Sequence, residues 1–195
     1  MAIGRPRTFC TEQALDRALE VFWRKGYEGA SICDLTAAMG INPPSLYAAF
    51  GNKEALFRQA LDRYAQTHGE YIREALAAPK ARDAMEAILR GSVRSLTDKS
   101  NPAGCLLVQG ISGAGEHAQC IHDMLHAKRA EGEKDIRERL KRAKKEGELP
   151  ADSDPAALAR YFSTVTQGMA VQAAGGASRK DLERIADMAL RAWPD

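Results

Sequence analysis

The chain has 195 residues, of which 45% are hydrophobic, so it is long enough and apolar enough to fold around a core. Lys and Arg total 28 against 26 Asp and Glu, and the formal net charge of +2 means that any charge for binding nucleic acid must be local. The four cysteines lack the CxxC spacing of a zinc ribbon and no apolar run reaches signal-peptide or membrane-span length, so we expect a cytoplasmic protein with reduced thiols and no membrane partner.

The chain begins with two predicted helices. Apolar residues recur at three- and four-residue spacing after Thr11, which indicates one helix face, and Gly26 ends this first helix. Ser31 and Asp34 have the spacing of a capping box and therefore start a second helix. Gly40 stops that helix after about two turns, because glycine readily takes the left-handed conformation that follows a helix.

Two further helix starts follow closely. Asn42 precedes two prolines, which suit only the first turn of a helix, so a third helix begins there and carries Leu46 and Tyr47. Asn52 caps a fourth helix with an apolar stripe, and we expect this helix to continue towards Leu76.

Beyond Pro79 the apolar periodicity predicts further helices and no strand. They cover 85–96, 105–111, a basic stretch that ends before Gly147, and two segments that start after Pro155 and Ser178. We therefore predict an all-α fold with an N-terminal three-helix domain over 1–60 and a C-terminal helical domain over 61–195.

Residues 31–50 have the layout of a helix-turn-helix. Two short helices joined by a brief turn that contains glycine can lay the second helix in the major groove of DNA. A plain helical hairpin within a bundle has the same spacing, so the spacing alone leaves both readings open.

The residues themselves favour DNA binding. The informative positions are Phe22, Gly26, Tyr27, 31–35, Ala38, Gly40, 45–47, Phe50 and 53–56. With them, residues 11–65 resemble the N-terminal domain of the TetR/AcrR family without a gap, whereas the rest of the chain resembles that family only in helix number and length. The resemblance implies a helix-turn-helix DNA-binding domain followed by a ligand-binding and dimerisation domain.

The resemblance also implies a function. We expect a one-component transcriptional regulator, a repressor, that binds a near-palindromic double-stranded operator as a homodimer and is released by a small-molecule effector of unknown identity. The sequence leaves an activator open. No paired carboxylate, triad or phosphate loop can be assembled, so we expect neither an enzyme nor a cofactor.

The family's DNA contacts carry over to specific positions. The resemblance implies that Tyr47 and Lys53 contact phosphates, and that Ser45 and Thr36 offer hydroxyl groups. Arg5 and Arg7 lie in a Pro-containing arm that either reaches the DNA or is a disordered tail. The full predicted set of DNA-binding residues is Arg5, Arg7, Thr36, Asn42, Pro44, Ser45, Tyr47 and Lys53.

The predicted recognition helix has few groups that read bases. Ala48 and Ala49 stand where many relatives have polar residues, which leaves Asn42 and Ser45 as the polar base readers. Contacts with thymine methyl groups and DNA shape would have to supply the remaining specificity. The alternative is a helical ligand-binding protein with degenerate operator reading. We assign Leu35, Leu46 and Phe50 to the core that braces the two helices.

The last two helices are the predicted dimer interface. In the family that the chain resembles, these helices of two subunits form a four-helix bundle. The sequence does not separate interface from adjacent core among the candidates, which are Leu158, Phe162, Val165, Met169, Ile185, Met188 and Trp193.

The C-terminal part of the chain contains a few candidate reactive groups. Cys105 stands at a helix start, where free N–H groups lower a thiol pKa, so it is a possible redox sensor, with a buried apolar cysteine as the alternative. The reactivity of Cys120 stays open. His122 and His126 share a helix face opposite His117 and Cys120, so we predict no metal site.

Two more segments have plain structural explanations. The glycine-rich stretch 110–115 is read as a flexible helix junction, since no strand precedes it as a nucleophile elbow or a dinucleotide-binding loop requires. The basic stretch 128–145 also contains acidic residues, which favours a solvated face with ion pairs over a second DNA contact.

Overall fold

The computed structural model describes residues 9–110 and 118–194, and within those ranges the chain forms ten helices and no strand. The helices are α1 (Thr11–Gly29), α2 (Ile32–Met39), α3 (Pro43–Phe50), α4 (Lys53–Thr67), α5 (Glu70–Leu76), α6 (Ala81–Leu96), α7 (Leu106–Gln109), α8 (Ala118–Lys145), α9 (Pro155–Ala174) and α10 (Arg179–Leu190). The all-α prediction is confirmed. The predictions for Arg5, Arg7, His117 and most of 110–115 lie outside the described residues.

Side-chain caps start the N-terminal helices where the sequence predicts. The Oγ of Ser31 accepts the backbone N–H of Asp34 at 3.0 Å, and the Asp34 carboxylate accepts the backbone N–H of Ser31 at 3.1 Å. Asn42 and Asn52 each accept the backbone N–H three residues on, at 2.9 and 2.7 Å. These bonds satisfy donors that a helix cannot pair internally, so each start is determined within four residues of sequence.

Two glycines with positive φ shape the first two helices. Gly26 (φ 67°, ψ 176°) interrupts α1, which resumes for one short turn to Gly29. Gly40 (φ 67°, ψ 33°) ends α2 in the left-handed region. Residues with a Cβ rarely adopt these angles, so both predicted stops are confirmed, the first as a kink rather than an end.

The expected run of α4 towards Leu76 is wrong. The helix ends at Thr67, and α5 begins separately at Glu70. At the junction the N–H of Gly69 reaches the carbonyl of Tyr64 at 3.2 Å, and a Cβ on Gly69 would lie 2.6 Å from the carbonyl oxygen of Ala65. This close approach makes a tight bend that the continuing apolar periodicity concealed. The predicted domain boundary after residue 60 falls inside α4.

Two apolar clusters hold the described helices together. The first is centred on α1–α4, where the buried rings of Phe22 and Phe57 meet edge to face at 4.9 Å. Leu106 of α7 and Ile121 and Leu125 of α8 pack into this same cluster. The second cluster joins α5, α6, the later part of α8, α9 and α10. Helix α8 therefore contributes to both cores and connects them mechanically.

A buried ion pair fastens α8 to the α5–α6 connection. The Arg139 side chain is only 3% exposed and lies 3.3 Å from the Glu148 carboxylate. Its Nη2 also donates to the carbonyls of Ala78 and Pro79, at 3.2 and 2.9 Å. Glu148 in turn accepts the backbone N–H of Ala81 at the start of α6. The Arg139 guanidinium thus donates hydrogen bonds to the carbonyls of a turn and also pairs with a carboxylate.

Other basic residues of α8 form exposed ion pairs, as predicted for this stretch. Lys141 contacts Glu138 at 2.9 Å, and Arg142 contacts Glu146 at 3.9 Å. Pairs of this kind across exposed helix turns contribute little to stability.

Candidate nucleic-acid interface

Helix α3 presents one face to solvent and buries the other. Leu46 and Phe50 are 0% and 3% exposed and pack with Leu35 in the first core, which confirms their bracing role. Tyr47 is 48% exposed and Ala48 is exposed beside it. The helix therefore offers an outward face that has one aromatic hydroxyl and small apolar side chains.

An open recess lies where α2 turns into α3. It has a volume of about 470 Å³ and is lined by Phe9, Thr36, Ala37, Gly40, Ile41, Asn42 and Ser45. Asn42 is exposed, and its Oδ1 caps α3, which leaves its amide N–H groups as donors. The recess brings together three of the predicted DNA-binding residues.

Thr36 is the least available of those predicted residues. It is only 7% exposed, and its hydroxyl donates to the carbonyls of Ile32 and Cys33 at 2.8 and 3.2 Å. Such back-bonding satisfies the hydroxyl within its own helix. Its contact with DNA stays a prediction.

An ion pair fixes the start of α2 against α1. The Lys25 Nζ lies 2.7 Å from Asp34, which also receives hydrogen bonds from the side chain and backbone of Ser31. These donors, Lys25 foremost, lower the pKa of Asp34 to about 2. The carboxylate stays ionised near neutral pH and sets the direction in which α2 leaves the α1 kink.

Lys53 begins α4 and is held beside an aromatic ring. Its Nζ lies 4.3 Å from the ring centroid of Tyr27, over the ring face. Burial lowers the pKa of Lys53, while the nearby Glu28 carboxylate acts in the opposite direction. Asn52 caps the same helix end and leaves further backbone N–H groups free for an anion. The N-terminus of α4 therefore combines an ammonium group with free backbone N–H groups next to α3.

The sequence agrees with two family models. Residues 14–60 match the model described as "Bacterial regulatory proteins, tetR family". Residues 81–189, more than half of the chain, match "Tetracyclin repressor-like, C-terminal domain". The chain belongs to the TetR family. It is therefore a transcriptional regulator with a helix-turn-helix, and this membership assigns α2 and α3 to DNA binding and α3 to the recognition helix.

Two curated relatives are named as regulators of transcription. The HTH-type transcriptional repressor ComR of Escherichia coli (strain K12) is 34% identical over 98% of this chain and 92% of its own length. The HTH-type regulator YezE of Bacillus subtilis (strain 168) is 33% identical over 83% of this chain and 84% of its own. These relatives are regulators of transcription, so the expectation that the chain is not an enzyme agrees with its family.

A solved TetR-family structure agrees in fold. A cysteine-substituted variant of the regulator CifR, complexed with 26-bp double-strand operator DNA, is 46% identical over 97% of this chain and 100% of its own. The TM-score of 0.93 indicates the same arrangement of both domains. That protein was thus solved on DNA with the fold described above.

The predicted dimer residues of this TetR-family chain differ in how deeply they are buried. Phe162 and Met169 are 1% and 0% exposed and belong to the subunit's own core. Leu158, Val165, Ile185 and Trp193 are half-buried against that core. Met188 is 60% exposed. Tyr161 and Val171 are also exposed, at 38% and 55%, and the sequence analysis did not include them. The seven- and three-residue spacing of 161, 168 and 171 places them on one face of α9. Such spacing does not tell which face of the helix is exposed.

Of the two readings of Cys105, the structure favours a packed apolar cysteine over a redox sensor. It precedes α7, but burial raises the pKa of its thiol rather than lowering it, even though the Tyr64 hydroxyl donates to its sulfur at 3.2 Å. A four-residue helix with a buried thiol does not produce a reactive thiolate. Cys120 is exposed, and desolvation and the Glu54 carboxylate raise its pKa as well.

In the described part of the chain, no group of three or more His, Cys, Asp or Glu residues is arranged to hold a metal ion. No helix in the described ranges has the length and apolar character needed to cross a bilayer.

Proposed function

We propose that this TetR-family regulator is a cytoplasmic repressor that binds a near-palindromic operator as a homodimer and leaves it when a small molecule binds the C-terminal domain. The observation that carries this proposal is the exposed face of α3, since Tyr47 and Ala48 project from a helix braced by buried Leu46 and Phe50. The relatives named as repressors support the direction of regulation.

The proposed interface grips the DNA backbone more than it reads bases. Tyr47 on the recognition helix and Lys53 at the start of the next helix supply a hydroxyl and a cation for phosphates. Asn42, Pro44 and Ser45 lie at its N-terminal end, where base edges are contacted in this motif. The exposed methyl group of Ala48 suits a thymine methyl group. Arg5 and Arg7 are proposed to extend the grip from the arm.

The proposed dimer surface is the exposed apolar face of α9 and α10. Tyr161 and Val171 stand on one side of α9 with Gly168 between them, where an added Cβ would meet no atom within 4 Å. Met188 adds an exposed thioether on α10. An open stripe around a glycine lets a second helix approach closely, as a symmetric four-helix bundle requires.

The proposed effector acts through the shared core. Leu106, Ile121 and Leu125 belong to the C-terminal domain yet pack into the first apolar cluster with α1 and α4. Lys128 of α8 also pairs with Asp62 of α4 at 2.8 Å. A ligand that shifts α7 or α8 therefore moves the recognition helices, and by reciprocity operator binding weakens ligand binding equally. Cys105, beside Leu106, is a candidate sensor only if its thiol is first exposed.

Operator preference tests the proposal directly. We expect purified protein to bind a duplex from its own promoter at least about 1,000-fold more tightly than a random duplex at physiological salt. The logarithm of the affinity should fall linearly with the logarithm of salt concentration, because bound cations are released from the phosphates. Equal affinity for both duplexes at every salt concentration would support the degenerate ligand-binding alternative instead.

Dimer formation has its own test in Val171→Asp. A carboxylate within the proposed apolar stripe cannot be buried without a partner, so we expect light scattering to report a monomer. Operator affinity should fall about 100-fold, because each half-site then binds independently. Ala127→Asp, an exposed position on α8, is the control and should leave a dimer. Dimeric Val171→Asp protein would move the interface elsewhere.

A further inference from the structure

The N-terminus of α4, where Lys53 is proposed to contact a phosphate, packs on a side chain that is itself almost fully buried. Tyr27 is only 4% exposed, at the position just after the Gly26 kink. Its ring is stacked on Phe22 with 6.2 Å between centroids and meets Phe57 edge to face at 5.2 Å. Contacts with these two neighbouring rings therefore hold the Tyr27 ring in one orientation.

The Tyr27 ring also lies beneath the Lys53 ammonium group. Its Nζ lies 4.3 Å from the Tyr27 centroid, within the range in which a cation is attracted to the electron-rich face of an aromatic ring. Lysine has a flexible four-carbon stem with many rotamers, so an unheld Lys53 would spread its charge over a wide volume. The described salt bridges give Lys53 no carboxylate partner within 4 Å.

We propose that Tyr27 is a positioning residue for DNA binding, which holds the Lys53 ammonium group at the N-terminus of α4 through a cation–π contact. The inference rests on the proposed phosphate contact of Lys53. Because Tyr27 is anchored by α1 and by Phe57 of α4, the contact ties the cation to the frame that carries the recognition helix. A cation that is already in place loses less conformational freedom when it meets a phosphate.

A carboxylate partner would hold Lys53 less usefully for this purpose. It would neutralise the charge that the phosphate needs, and it would itself repel the DNA backbone. An aromatic face holds the cation without cancelling its charge and leaves the outer side of the ammonium group open. Glu28, whose charge raises the pKa of Lys53, helps to keep the group protonated from a greater distance.

Fluorination of the ring separates this role from simple packing. The series is Tyr27→Phe followed by mono- and trifluorinated phenylalanine at the same position, which withdraw charge from the ring face with little change in shape. The operator affinity of each variant is measured at low salt, both in the otherwise natural protein and together with Lys53→Gln. In the natural background we expect a stepwise loss that reaches about fivefold. With Lys53→Gln the series should be flat.

The controls make each outcome decisive. Thermal unfolding should show that every variant remains folded in both backgrounds, since the packing of the ring against Phe22 and Phe57 does not depend on Lys53. An equal affinity loss in both backgrounds, or no loss in either, overturns the positioning role. Lys53→Gln should reduce the slope of log affinity against log salt by about 0.9 for each lysine removed. An unchanged slope overturns the Lys53 contact and this inference with it, while operator preference itself would stand.

Discussion

Replacing Arg139 with alanine is expected to lower the free energy of unfolding by about 3–5 kcal/mol, the range for removing one partner of a buried ion pair. The change leaves the Glu148 carboxylate, 22% exposed, without its cation. It also leaves the carbonyls of Ala78 and Pro79 without their side-chain donor. Urea denaturation followed by circular dichroism measures the loss, as a lower midpoint with an unchanged slope.

Arg142→Ala is the matched control for this prediction. Arg142 lies one turn further along α8 and pairs with Glu146 at 3.9 Å, with both side chains 53% exposed. Removal of this pair should change the free energy of unfolding by about 0–1 kcal/mol. Equal effects of the two variants would mean that the Arg139 pair is no more than a surface contact.

Acid should weaken the same junction. Burial alone raises the pKa of Glu148, but the hydrogen bond from Ala81 and the charge of Arg139 together outweigh it and lower that pKa below its ordinary value. A lowered folded-state pKa means that the stabilisation is present above the unfolded pKa of about 4.3 and is lost as pH falls through the folded value. The difference in stability between the natural protein and Arg139→Ala should therefore shrink below about pH 4.

Ala48→Glu is expected to reduce operator affinity by at least about 100-fold, because a carboxylate on the recognition helix would face the phosphates and base acceptors of the groove. Like charges brought together at an interface cost several kcal/mol, and each 1.4 kcal/mol is about a factor of ten. Ala48 is exposed, so the fold should be unaffected. Fluorescence anisotropy with labelled operator duplex measures the change.

Ala127→Glu supplies the control for charge. It makes the same change in net charge at an exposed position on α8, remote in sequence from the helix-turn-helix. We expect a change of less than about threefold, since long-range repulsion is screened at physiological salt. If both variants bound the operator as the natural protein does, α3 would not be the helix that enters the groove.

Much of the DNA-binding domain could be predicted from sequence because its signals are local. Ser31 with Asp34, Asn42 before two prolines and Asn52 each form their caps within three residues, and the structure places α2, α3 and α4 at those starts. The apolar spacing of Leu46 and Phe50 likewise indicated which face of α3 is buried. The family resemblance then gave these helices a function.

What the sequence alone determined, then, is where most helices begin and end and which chain segment resembles a DNA reader, since capping and periodicity act over one or two turns. Only the tertiary structure decided which apolar residues of α9 stay inside, why α4 stops at Thr67, and that Lys53 rests on Tyr27. Arg139 and Glu148 are nine positions apart, but the backbone groups to which they bond are 60 to 67 residues away. Such contacts depend on how the helices pack. The periodicity of one helix shows which face is apolar but does not identify the helix that packs against it.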